Sequence, residues 1–74
     1  MTRLPMLSAK KVIQALERAG FTADGQKGSH FYLWHPIKRL TTCVPMRSGD
    51  LKRSLVRAIL NQAGLNEDQF RAFL

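Results

Sequence analysis

Residues 28–36, GSHFYLWHP, form the most β-prone segment of the chain. Aromatic residues favour β-strands, and the Gly-Ser pair before them and the proline after them are typical of strand ends. We therefore predict a strand over residues 29–35. Side chains alternate along a strand, so one face carries His30, Tyr32 and Trp34 and the other carries Phe31, Leu33 and His35. Both faces include apolar groups, and the pattern does not decide which of them contacts the helices.

The aromatic residues of this strand can be interpreted in two ways. Rings on the surface of a sheet can stack on the bases of RNA, as they do in several RNA-binding modules. More often, such a cluster is part of the hydrophobic core. We expect at least two of the three, Phe31, Tyr32 and Trp34, to lie in the core.

Two further strands are predicted on either side. Residues 21–23 form a short strand that the turn dipeptide Asp24-Gly25 ends, and residues 40–44, with two threonines, form the other. The loop that follows spans residues 45–50 and contains Ser48-Gly49. Three short strands joined by hairpins make an antiparallel sheet.

Helical periodicity precedes and follows the strands. Residues 9–19 carry an apolar stripe, with Ser8 as the N-cap and Gly20 after the last turn. A second helix follows Asp50, its predicted N-cap, and Gly64 ends it. Asn66 and Gln69 have the spacing of a capping box for a short last helix. The apolar residues of that helix, which we expect to pack on the core, are Phe70, Phe73 and Leu74.

The order α-β-β-β-α-α predicts an α+β fold of two layers, a three-stranded antiparallel sheet with the helices on one face. A chain of 74 residues is long enough for one domain, residues 1–74. The lone cysteine excludes an internal disulfide. We see neither a signal peptide nor an apolar run that could cross a membrane, and expect a small, soluble, cytoplasmic protein.

The net charge of +7 points to an anionic partner. Residues 27–57 contain seven basic residues and a single acidic one, Asp50. Nucleic acid is the commonest polyanion that a small basic domain meets, and an acidic protein fits the same charge. A solvated basic surface without a partner is the third reading. The charge alone does not separate the three.

Histidine is the side chain whose ordinary pKa, about 6.5, lies near neutrality, which makes His30 and His35 the candidate acid–base groups. His30 begins its strand beside Gly28, where the backbone can approach a ligand closely. A metal site of His30, His35 and Cys43 is an alternative, but its spacing matches no zinc pattern. We therefore expect no metal and no cofactor.

Four segments of the chain resemble the HicA family of toxins, small mRNA interferases of bacterial and archaeal toxin–antitoxin pairs. The first is Lys27-Gly28-Ser29-His30 at the start of the aromatic strand. The others are residues 17–21 (ERAGF), residues 43–45 (CVP), and residues 51–65, which end in AILNQAGL. They follow the order and spacing of the family and extend from about Ser8 to Phe70.

The resemblance implies a fold similar to that of the double-stranded-RNA-binding domain, in agreement with the elements predicted above. It implies that His30 is the catalytic residue of an endoribonuclease that cuts mRNA and so inhibits translation. It also implies a HicB-like antitoxin as the protein partner, covering His30 and the basic face. The chain departs from many members at Met46-Arg47, where a second histidine is common, and at Ser54-Leu55, where Gly-Thr is common.

A single imidazole and several cations suffice for a metal-independent cut, because RNA carries its own nucleophile, the 2′-hydroxyl. We predict His30 as the acid–base group. The residues predicted to contact the RNA are Lys27, Gly28, Ser29, Lys38, Arg39, Arg47, Lys52 and Arg53. Two alternatives stay open: a non-catalytic RNA-binding module of the same fold, and an adaptor for an acidic protein.

Overall fold

The structure, a computed structural model, describes residues 4–74. It has an α+β fold with a three-stranded antiparallel sheet, a second sheet of two short strands, and three helices. In chain order the elements are β1 (Leu7–Ser8), α1 (Ala9–Arg18), β2 (Thr22–Lys27), β3 (His30–His35), β4 (Leu40–Pro45), β5 (Asp50–Leu51), α2 (Arg53–Ala63) and α3 (Glu67–Arg71). The predicted fold class is confirmed, and the β1–β5 pair is an addition to it.

Helix α1 begins and ends at the predicted signals. The Ser8 side chain accepts a hydrogen bond from the Lys11 backbone N–H at 3.3 Å, and the chain leaves the helix through Ala19 and Gly20. The apolar stripe of α1 is buried, with Val12 and Leu16 fully inaccessible to solvent. Burial of this stripe against the sheet is what holds the helix in place.

Strand β2 is longer than predicted. The sequence suggested that Asp24-Gly25 ends the strand, but β2 continues to Lys27. Ala23 pairs with Leu33 and Gln26 with Phe31, so Asp24 and Gly25 together oppose one residue of β3. This is a β-bulge, which places the extra residue within the strand instead of in a turn.

The register of the sheet shows which face of β3 meets the helices. Leu33 and His35 are buried and Phe31 packs against the core, so their face lies toward the helices. Tyr32 and Trp34 lie on the opposite face, partly exposed and outside the core. The expectation that at least two of the three aromatic residues belong to the core is therefore wrong, since only Phe31 packs there.

Helix α2 starts later than predicted. Asp50 is not its N-cap: Asp50 and Leu51 form β5, which pairs with Ser8 and Leu7 of β1. The extended backbone buries Leu51 beside Leu7, and this apolar contact favours the strand over an earlier helix start. Lys52 is the N-cap and makes no side-chain capping bond. Gly64, with a φ of +70°, ends the helix as predicted.

The C-terminal helix α3 closes the core. Its capping box is confirmed: the Asn66 side chain accepts from the Gln69 backbone, and the Gln69 side chain accepts from the Asn66 backbone. Phe70 is fully buried and Phe73 is partly buried, but Leu74 is 44% exposed, so its predicted packing on the core is wrong. None of the helices that the structure describes has the length and apolar character needed to cross a membrane.

Candidate functional site

His30 is positioned by the tight turn between β2 and β3. Lys27 pairs with His30, so Gly28 and Ser29 alone form the loop of the hairpin. Gly28 has a φ of +59°, as the first position of a type II′ hairpin turn requires, and glycine adopts this conformation without steric cost. The turn therefore fixes His30 as the first residue of β3.

The His30 side chain is exposed to solvent. Its cross-strand neighbours are Lys27 on β2 and Pro45 on β4, and residues directly opposite each other share a face of the sheet. Among residues 4–74, no side chain makes a hydrogen bond or ion pair with the imidazole. Both ring nitrogens are therefore accessible to a ligand.

A groove of about 240 Å³ runs beside His30, between β4 and α2. It is lined by His30, Cys43, Pro45, Arg47, Leu55, Ala58, Ile59 and Gln62. A backbone hydrogen bond from Met46 N–H to the Ser29 carbonyl, 2.6 Å long, ties the segment before Arg47 to the turn. The lining thus combines an imidazole, a guanidinium, an amide and an apolar wall, and it includes no carboxylate.

A buried hydrogen bond holds the two walls of the groove together. The Thr42 hydroxyl of β4 donates to the Ile59 carbonyl of α2 at 3.1 Å, in a position where Thr42 is only 1% exposed. The same hydroxyl oxygen lies 3.2 Å from Gln62 Oε1, which places the amide of Gln62 at the groove. A buried bond of this kind resists opening, because breaking it leaves a polar group without a partner.

Cys43 lines the groove beside β4. It pairs with Tyr32 across the β3–β4 ladder. Burial raises the pKa of the Cys43 thiol above its usual 9.0, and a hydrogen bond with Tyr32 partly offsets that rise. The reactive form of cysteine is the thiolate, so this pKa makes Cys43 a poor nucleophile near neutral pH.

His35 occupies a different environment from His30. It is 7% exposed, its Nδ1 accepts a hydrogen bond from the Lys38 backbone at 3.0 Å, and its ring meets Phe21 edge-to-face at 5.0 Å. It lies at the other end of β3, about 17 Å from His30 and on the opposite face. His30, His35 and Cys43 therefore do not converge on one ion, and within residues 4–74 no three His, Cys, Asp or Glu side chains do.

The basic residues expected to contact RNA fall into separate groups. Lys27 and Arg47 lie beside His30. Lys38 and Arg39 are exposed in the turn after β3, at the far end of the strand.

Lys52 and Arg53 lie together at the start of α2. Lys52 is exposed, whereas the Arg53 Nε donates to the Leu4 carbonyl at 2.6 Å in a partly buried position. That nitrogen of Arg53 is thus already engaged within the protein.

The wall supplied by α2 was not anticipated from the sequence. Leu55, Ala58 and Gln62 are separated from His30 by 25 residues or more, and only packing of α2 beside β4 brings them to the groove. The periodicity of α2 identifies its buried face but carries no signal for the edge that borders a neighbouring strand. Chemically, the site can exchange a proton through His30 and bind an anion through Lys27 and Arg47.

Comparison with known proteins identifies a family for the chain. A family model described as the HicA toxin of bacterial toxin-antitoxin matches residues 9–65, which is more than half of the chain and includes every element from α1 to α2. A comparison with curated protein sequences gave no match.

Proposed function

The chain belongs to the HicA toxin family, and on this premise we propose that it is the toxin of a type II toxin–antitoxin pair, an endoribonuclease that cleaves mRNA and thereby inhibits translation. His30 is the catalytic residue. The observation that carries the proposal is the exposure of His30 at the end of a groove that also holds Arg47 and no carboxylate.

The proposed reaction uses the 2′-hydroxyl of the RNA as nucleophile. His30 accepts the proton of this hydroxyl, the 2′-oxygen bonds to the adjacent phosphorus, and the bond from phosphorus to the 5′-oxygen breaks. The proton passes to the departing 5′-oxygen, from the imidazolium or through water. The products are a 2′,3′-cyclic phosphate and a 5′-hydroxyl end. Lys27 and Arg47 stabilise the charge that develops on the non-bridging oxygens.

The reaction is proposed to need no metal ion. Mg²⁺ in nucleases is held mainly by carboxylates, and the lining of the groove has none. The imidazole and the guanidinium supply the acid–base chemistry and the positive charge instead. Cleavage that EDTA abolishes would contradict this part of the proposal.

Replacement of His30 tests the catalytic role. We expect His30→Ala to slow cleavage of RNA by about 100-fold or more while leaving RNA binding nearly unchanged, because general acid–base catalysis contributes about 10²–10⁴-fold. The measurement is a gel of purified RNA incubated with each protein, alongside a filter-binding assay. Gln14→Ala, an exposed change on α1, is the matched control and should cut at the wild-type rate.

A His30→Ala protein that cuts as fast as the wild type would refute the assignment. Wild-type protein that binds RNA without cutting it would instead identify a non-catalytic RNA-binding module. Wild-type protein that does neither would favour the adaptor for an acidic protein.

The partner proposed for the toxin is a HicB-like antitoxin that covers His30 and the basic face. An inhibitor has to block access to the imidazole, and the residues around it are cationic, so an acidic surface on the antitoxin is complementary. The other proposed RNA contacts, by Gly28, Ser29, Lys38, Arg39, Lys52 and Arg53, extend the binding surface beyond the groove.

A further inference from the structure

The face of β3 turned away from the helices presents three side chains in a row. His30, Tyr32 and Trp34 alternate with the core-facing residues, so successive members of the row are about 7 Å apart. Tyr32 and Trp34 are partly exposed and do not belong to the core. In the described part of the chain, neither ring stacks on another aromatic ring.

Cations lie at both ends of this row. Lys27 and Arg47 are at the His30 end. Lys38 and Arg39 are exposed in the turn that follows β3, about 17 Å away. The strands of this sheet contain a single acidic residue, Asp24, in the bulge of the outer strand β2. Positive charge at the two ends, with rings between them that stack on no other ring of residues 4–74, is the arrangement that binds a single nucleic-acid strand.

We propose that this face of β3 binds single-stranded RNA over about three nucleotides, with bases stacked on Tyr32 and Trp34 and phosphates held by the cations at each end. The inference rests on the ribonuclease proposed above and specifies its substrate as unpaired RNA. A base can stack on a side chain only when it is free of its own duplex, in which its faces are already covered. The row ends at His30, so an RNA strand bound along it passes beside the catalytic imidazole.

This binding mode also accounts for the two cations far from His30. Lys38 and Arg39 are too distant to act on the scissile phosphate, but they lie where a strand running along β3 leaves the sheet. Their role is to position the RNA, not to act in the chemistry.

The intrinsic fluorescence of the protein reports directly on this surface, because Trp34 is the only tryptophan. The probe is a ten-nucleotide RNA with 2′-O-methyl groups throughout, which lacks the nucleophile and stays intact. We expect the single strand to quench Trp34 fluorescence by stacking and the same sequence as a duplex to bind more weakly. Fluorescence anisotropy of a labelled copy measures binding independently of the tryptophan.

Substitution of Trp34 provides the second readout. Trp34→Leu should weaken binding of the single strand by about 10-fold, and Trp34→Phe, which keeps an aromatic face, should retain most of it. Phe31→Leu, on the opposite face of the same strand, is the matched control and should bind as the wild type does. Circular dichroism confirms that each variant is folded before binding is measured.

Two results would overturn the proposal: single-stranded RNA that binds without quenching Trp34 and equally well to Trp34→Leu, or a duplex that binds more tightly than the single strand. Either would leave the catalytic role of His30 intact, since that is judged by cleavage. Conversely, quenching by the single strand together with no cleavage of unmodified RNA would support this surface and refute the ribonuclease.

Discussion

At the scale of single residues, the two histidines show how side-chain alternation along one strand places the same residue type in two different environments. They are five positions apart, so they fall on opposite faces of β3. His35 is buried, with a hydrogen bond to the Lys38 backbone and an edge-to-face contact with Phe21. His30 has no such partner among residues 4–74 and faces solvent. The same residue type thus stabilises the hairpin in one place and is left open to solvent in the other.

The packing of His35 depends on the absence of a side chain at Gly20. A Cβ at this position would lie 2.7 Å from His35 Nε2, whereas a Cβ at Gly25 would meet nothing within 4 Å. Both glycines have a positive φ, +106° and +112°, so an alanine is strained at either position. Gly20 differs from Gly25 in the added contact with His35.

We expect Gly25→Ala to lower the free energy of unfolding by about 1–2 kcal/mol and Gly20→Ala by about 3 kcal/mol. Urea unfolding followed by Trp34 fluorescence measures both. Equal losses for the two variants would show that His35 moves aside without cost.

At the scale of elements, the sequence predicts which helices and strands exist better than it predicts where they begin and end. Helix α1, the capping box of α3 and the stop at Gly64 depend on local residues, and all three are confirmed. The extent of β2 and the start of α2 depend on pairing with distant segments. Asp24-Gly25 is a turn signal that pairing with β3 converts into a bulge, and Asp50 is a capping signal that pairing with β1 converts into a strand.

The same distinction, between local sequence and contact with distant segments, applies to the residues of the site. His30 and its Gly-Ser turn are contiguous in sequence, so they could be identified as a motif. The α2 wall of the groove could not, because the positions of Leu55 and Gln62 relative to His30 depend on how α2 packs beside β4. The outward placement of Tyr32 and Trp34 was also undetermined, since both faces of β3 carry apolar side chains.

The start of α2 lacks a capping side chain, so a better N-cap residue there should stabilise the protein. Lys52 is the N-cap and makes no side-chain capping bond. Serine accepts a hydrogen bond from the first turn, so Lys52→Ser should raise the free energy of unfolding by about 1 kcal/mol. Thermal and urea unfolding measure the change. Lys38→Ser, which removes the same charge in a turn, is the control for charge alone, and an equal gain there would contradict the capping argument.

At the scale of the whole molecule, the net charge of +7 governs how partners reach the site. Complementary charge accelerates encounter, and salt screens it. We expect the association rate with the antitoxin to fall about 10-fold or more between low and high salt. Stopped-flow mixing of purified toxin and antitoxin measures this rate. An association rate that does not change with salt would contradict electrostatic attraction as the route to inhibition.

The fold as a whole places the proposed catalytic group, His30, where solvent can reach it. The turn between β2 and β3, the end of β4 and the edge of α2 meet only in the folded chain, and together they leave the His30 imidazole open to solvent beside two cations. A small molecule can therefore enter the space left when that side chain is removed. This accessibility permits a test of the imidazole itself.

The most direct measurement is the cleavage rate of RNA by His30→Ala with increasing concentrations of added imidazole. If the ring of His30 transfers the proton, free imidazole should restore part of the lost activity in proportion to its concentration. Tetramethylammonium chloride at the same ionic strength, whose cation has no proton to exchange, should not. Full activity of His30→Ala without imidazole would contradict the assignment of His30 as the catalytic residue.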